Sequence, residues 1–152
     1  VGAGEVVGRA GGAGDAGVVG GGAGGAGGMV AGVGVRTFGA GRGTKLAVVR
    51  TGPDSVLAIE ARGAVGNDGS VCTQGVLVYR IRGGTESGSG PVEVVDAHPR
   101  TEACWDESVY PPLADAPVTV GESFSVPGDG VRVAVEGRTA TGAWTVRITT
   151  ER

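Results

Sequence analysis

The stretch from Gly75 to Pro99 limits the fold more than any other part of the chain. It reads Gly-Val-Leu-Val-Tyr-Arg-Ile-Arg, then a Gly/Ser-rich connection, then Pro-Val-Glu-Val-Val-Asp-Ala-His-Pro. Two β-branched apolar runs around a polar loop predict two strands joined by that loop. Val76 to Ile81 is apolar at almost every position, which predicts a strand covered on both faces near its start. Arg80 and Arg82 predict that it emerges into solvent at its end. In the second run, Val92, Val94 and Asp96 share one face, and Glu93, Val95 and Ala97 share the other. His98-Pro99 ends it, because proline has no N–H to extend a central ladder.

The same pattern repeats from Thr44 to the end. Strands are predicted over residues 45–50, 55–62, 75–82, 92–97, 122–126, 131–136 and 143–149, with turn-forming sequences such as Thr51-Gly-Pro-Asp54 and Pro127-Gly-Asp-Gly130 between them. Val131, Val133 and Val135 alternate inward, and so do Trp144, Val146 and Ile148. No ten-residue window carries a helical period. The irregular stretch 100–117 suits a crossover between two sheets. These features predict an all-β domain, an antiparallel, jelly-roll-like β-sandwich, with Leu57, Ile59, Tyr79, Phe124 and Trp144 in its core.

Composition divides the chain. The first 43 residues hold 19 of the 33 glycines, and Ala16 to Val35 carries no charge. Half of that uncharged stretch is glycine, which supplies little apolar area and costs backbone entropy in a helix, so a membrane span is not expected. Residues 1–43 are expected to be a disordered Gly/Ala/Val-rich linker, and residues 44–152 the sandwich domain. The Gly/Ala/Val/Arg bias of the lead is also what GC-rich coding DNA gives in a shifted frame. Peptides of the native protein covering Val1–Gly43 would exclude that origin.

The chemistry legible in the residues is sparse. The net charge is −3, and no basic patch with interleaved aromatics points to nucleic acid. Cys72 and Cys104 do not form a C-x-x-C pair, and His98 is the single histidine, so a structural zinc site is not expected. The residues leave two readings for the cysteines, a disulfide or two buried thiols. A bridge would stabilise by about 3–4 kcal/mol on loop-entropy grounds and would place the protein in an oxidising, extracellular setting. No serine sits in a G-x-S-x-G elbow. An enzyme would require a cleft bringing His98 to a serine and a carboxylate; a strand-end boundary residue bonded to backbone is the simpler role. Asp96 and Asp115 are candidates for a hydrogen-bonded junction, since a strand-end carboxylate accepts backbone N–H bonds. With Asp54, Asp68, Asp106, Glu107 and Asp129 they are also loop oxygen donors for calcium, although no EF-hand spacing exists. Trp105 and Tyr110 either form an exposed surface for glycan or pack over the disulfide or the sandwich edge.

Three segments together, Gly75-Val-Leu-Val-Tyr-Arg80, Gly90-Pro-Val-Glu-Val-Val-Asp-Ala-His-Pro99 and Leu113-Ala-Asp-Ala-Pro117, resemble the β-rich region that follows the catalytic core in M6 (immune inhibitor A-like) secreted metalloproteases. The resemblance spans about Thr44 to Thr150, and the GC-biased composition suits an actinomycete origin. The family's H-E-x-x-H zinc helix is missing, so no catalytic residue carries over, and zinc belongs to the absent catalytic domain. The resemblance implies a non-catalytic, secreted ancillary sandwich whose partner is a protease catalytic domain. The alternative is a free-standing secreted module for glycan or calcium.

Overall fold

The computed structural model describes residues 6–10, 18–19, 30–37, 42–106 and 110–151. Among them the chain is all-β, with ten strands and two 3-10 turns, Gly66–Asp68 and Pro111–Leu113. The strands are β1 (Val6–Ala10), β2 (Val18–Val19), β3 (Val30–Val35), β4 (Thr44–Arg50), β5 (Ser55–Arg62), β6 (Gly75–Arg82), β7 (Val92–Val95), β8 (Ser123–Val126), β9 (Val131–Arg138) and β10 (Trp144–Thr150). Two antiparallel sheets result. The first has the order β2-β1-β4-β5-β6-β7, the second β3-β10-β9-β8. Each of the strands predicted after Thr44 is present, with ends moved by one or two residues. The long connection after β7 carries the chain from the first sheet to the second, as expected.

The core lies between the sheets. Ala47 and Val49 of β4, Leu57 and Ile59 of β5, and Val76 and Val78 of β6 face Val133 and Val135 of β9 and Trp144, Val146 and Ile148 of β10 across a shared apolar cluster. The period-2 alternation sets this arrangement, because a one-residue slip would turn each apolar set to solvent. Phe124 packs against the cluster from the second sheet's edge. Lys45 continues the inward set of β4 and is buried; its Nζ donates to the carbonyl of Thr37 at 2.9 Å. Burial and the nearby positive charge of Arg36 lower its pKa.

Three findings depart from the sequence reading. First, the strand pairings extend N-terminal to the boundary expected at residue 43. β3 pairs with β10 in the register Trp144↔Val35, Val146↔Val33, and Val33 and Val35 join the core. The linker expected elsewhere in the lead, over residues 1–5, 11–17, 20–29 and 38–41, lies outside the described residues. Second, Tyr79 is not in the core. It stands opposite Ala58 on the outer face of the first sheet, with its Oη 3.4 Å from Glu60 Oε2. The phenol needs a polar partner, and the apolar interior offers none. Third, Arg80 does not emerge into solvent. It follows Val78 on the inner face, and its side chain is only 14% exposed. It pairs with Asp129 in the β8–β9 turn, Nε lying 3.0 Å from Oδ2, and with Glu93 of β7 at 3.2 Å. A guanidinium is tolerated there because carboxylates from both sheets converge on it.

Candidate functional site

Cys72, in the β5–β6 loop, and Cys104, in the β7–β8 connection, form a disulfide with their Cα atoms 6.3 Å apart. Cys104 has φ 59°, a left-handed conformation that costs about 1 kcal/mol or more for a residue with a Cβ. The covalent tie holds it there. Next to Cys104, Ala103 N donates to Pro111 O at 3.4 Å. Trp105 and Tyr110 are 68% and 58% exposed.

A groove of about 390 Å³ is walled by the disulfide, Val71, Leu77, Leu113 and Pro117, with Ser70 and Thr73 at its polar side. Arg62 enters it from β5. Its Nη2 contacts Glu60 Oε1 at 2.6 Å and its Nη1 contacts Asp68 Oδ2 at 2.9 Å. Burial opposes the Arg62 charge, but the two carboxylates hold its pKa above the ordinary arginine value. The Tyr79 phenol is pushed up, first by burial and then by Glu60.

A second cluster surrounds His98, between the C-terminal end of β7 and the start of β8. Its backbone N–H donates to Asp96 Oδ1 at 2.8 Å. Its Nδ1 lies 2.5 Å from the carbonyl oxygen of Asp115, and its Nε2 lies 3.1 Å from Glu122 Oε2. Thr101 Oγ1 donates to Asp115 Oδ2 at 2.7 Å. Asp96 and Asp115 therefore belong to one hydrogen-bonded junction with His98. Both ring nitrogens face acceptors, so the geometry calls for an imidazolium donating from each. Burial works against that charge, but the Asp115 carbonyl and Glu122 outweigh it, and the His98 pKa is raised. The Glu122 pKa is lowered, first by the backbone N–H of Thr119 and also by His98.

His98, Glu122 and Ser123 line one cavity of about 260 Å³. That is the set of residue types a hydrolase would need, but its hydrogen bonds assign other roles. Ser123 Oγ receives a bond from Arg132 Nη2 at 2.7 Å, and both His98 ring nitrogens are engaged, one by the Asp115 carbonyl and one by Glu122. The cluster is an ion-paired junction.

The stretches that carry the M6 resemblance meet at this same edge. Val76 and Val118 exchange backbone bonds of 2.9 Å, and Ala97 N donates to Ala116 O at 3.1 Å. Residues 116–118 thus continue the ladder along β6 where β7 ends. Among the described residues, no group of three or more His, Cys, Asp or Glu could hold a metal ion, so the loop carboxylates considered for calcium do not converge; Glu107 lies outside the described residues. Nor is any described helix long and apolar enough to cross a membrane.

Sequence reasoning missed Glu60, Arg62 and Glu122. Glu60 carries a local signal, a carboxylate inside an apolar strand, which is costly unless paired. Glu122 carries none, because its histidine partner is 24 residues away in sequence.

Fold and sites together define a class: a two-sheet antiparallel β-sandwich fastened by a disulfide and an ion-paired edge. No family model, curated protein or solved structure matches the chain.

Proposed function

We propose that this chain is a non-catalytic ancillary module of an extracellular, actinomycete M6-like protease, and that it docks on the catalytic domain through the outer face of its first sheet. The carrying observation is an asymmetry between the two outer faces. On the second sheet that face is polar: Arg147 Nε meets Glu136 Oε1 at 2.5 Å, and Arg132 meets Ser123. On the first sheet, registered rows place Val48, Ala58, Tyr79 and Val94 in one line and Arg50, Val56, Ile81 and Val92 in the next, with Arg50 the charged member at its β4 end. Val92 is 56% exposed and Val94 36%. A sandwich sheet normally turns polar residues outward, and a contiguous apolar face supports a docking role. The disulfide supports an oxidising compartment. Zinc would reside in the partner, and no residue here is assigned to it.

The test is calorimetric titration of this chain with the catalytic domain of an M6-type protease. Binding is expected, with at least about tenfold weakening in the Val92→Lys/Val94→Lys double variant and an unchanged melting temperature. Absence of binding, or binding indifferent to the double variant, overturns the proposal.

A second reading, a secreted glycan-binding module, is favoured by the exposure of Trp105 and Tyr110.

A further inference from the structure

We infer that the free edge of β7 takes an extended peptide as an added strand, one that reads basic–x–aliphatic–x–aliphatic. The surface is the backbone of the strand, so the inference does not depend on docking through the outer face of the sheet.

The hydrogen-bond phase of β7 is the starting point. β7 ends the first sheet and pairs with β6 alone. Residues of an antiparallel strand alternate between bonding to the neighbour and facing away from it. Arg82 N donates to Pro91 O at 2.8 Å, which turns the backbone groups of Pro91, Glu93 and Val95 toward β6. The N–H and C=O groups of Val92 and Val94 therefore point away from the sheet. Among the described residues nothing bonds to them. Two donors and two acceptors at strand spacing are what an added strand takes up.

An inward-pointing charge is one device that keeps strands off an edge. Glu93 is such a residue, but Arg80 and Arg82 hold its carboxylate at 3.2 and 2.8 Å. The paired charge leaves the open side of β7 free for a strand.

Side chains select the peptide. Val92 and Val94 are exposed on the outer face, and Asp96 follows them at the same period. Asp96 Oδ1 accepts from the His98 backbone, and among the described residues no cation pairs with this carboxylate. An antiparallel strand meets Asp96, Val94 and Val92 in that order, at every second residue. A lysine or arginine followed by two aliphatic side chains complements them. The inward position opposite Ala97 faces the gap between the sheets. There Ala97, Val118 and Phe124 wall the cavity of about 260 Å³, which suits an aliphatic side chain ahead of the basic one.

The experiment titrates the intact, isotope-labelled chain with acetyl-Leu-Lys-Thr-Val-Thr-Val-Thr-amide, and amide shifts and calorimetry are read together. Expected is saturable binding, with the largest shifts at the amides of Val92 and Val94. N-methylation of the peptide's first valine, which stands opposite Val94, should weaken it about tenfold or more. Val94→Pro should do the same at an unchanged urea midpoint, because the N–H it removes takes no part in the ladder with β6. Glutamate in place of the peptide's lysine should weaken binding about threefold or more. Absence of binding, or binding indifferent to N-methylation, overturns the site, and this peptide control decides even where the proline variant does not fold. Indifference to the lysine overturns the basic position alone. Dimerisation of the free chain that Val94→Pro abolishes would give the edge to a second copy and overturn the peptide.

Discussion

Gly75 shows how one atom can fix a position. A Cβ built there would stand 2.4 Å from the carbonyl oxygen of Val118 and 3.0 Å from the Pro117 side chain. The neighbouring strand passes directly over it and exchanges hydrogen bonds with Val76, so neither side can give way. Gly75→Ala is therefore expected to lower stability by about 2–3 kcal/mol, as for other overpacked sites, measured as a shifted urea midpoint at unchanged m-value. A substitution without effect would show that residues 116–118 are not held against β6. The glycine was visible in the sequence as the start of a strand. Its reason was not, because the clashing atom lies 43 positions further along the chain.

At the scale of elements, β3 is the informative strand. Its sequence, Val-Ala-Gly-Val-Gly-Val, is half of a good strand pattern in a region whose glycine content suggests a linker. Alternation places Val33 and Val35 inward, 6% and 0% exposed, opposite Val146 and Trp144. The outward glycines cost backbone entropy, and pairing with the long strand β10 offsets it. Val35→Asp is expected to destabilise by about 3 kcal/mol or more, because it puts a carboxylate where a fully buried valine packs in the apolar cluster. Gly32→Ser, where a Cβ would meet nothing within 4 Å, should be nearly silent. If the first 43 residues were a detached linker, both variants would unfold like the parent.

For the molecule as a whole, the edge formed by β7 and β8 is fastened between sheets at each end. Arg80, opposite Glu93 at the start of β7, holds Asp129 beyond the end of β8. His98, just after β7, holds Glu122, just before β8. The second fastening titrates. His98 has a raised pKa in the folded state, so its stabilisation is complete below the ordinary histidine value of about 6.5 and is lost as pH rises through the raised value. Glu122 has a lowered pKa, so its contribution is complete above the ordinary glutamate range and is lost as pH falls through the lowered value. Its side chain is 43% exposed, so solvent screening keeps the effect modest. Stability from this pair should be greatest in mildly acidic solution, between the two ordinary values. Urea midpoints from pH 4 to 9 should fall on the alkaline side, and His98→Gln should flatten that limb. An alkaline limb that persists in the variant would assign it elsewhere.

The sequence by itself determined the strands after Thr44, the inward sets on β9 and β10, and the sandwich class. Alternation and turn composition are local properties, written at a period of two within each segment. Tertiary structure alone decided that Arg80 points between the sheets, that Tyr79 turns outward to Glu60, and that β3 belongs to the core. It also brought Asp96, His98, Asp115 and Glu122 into one junction and left Trp105 and Tyr110 more than half exposed. These outcomes depend on which segments become neighbours. The burial of a charge or ring follows from partners 14 to more than 100 residues away, and no local period records them.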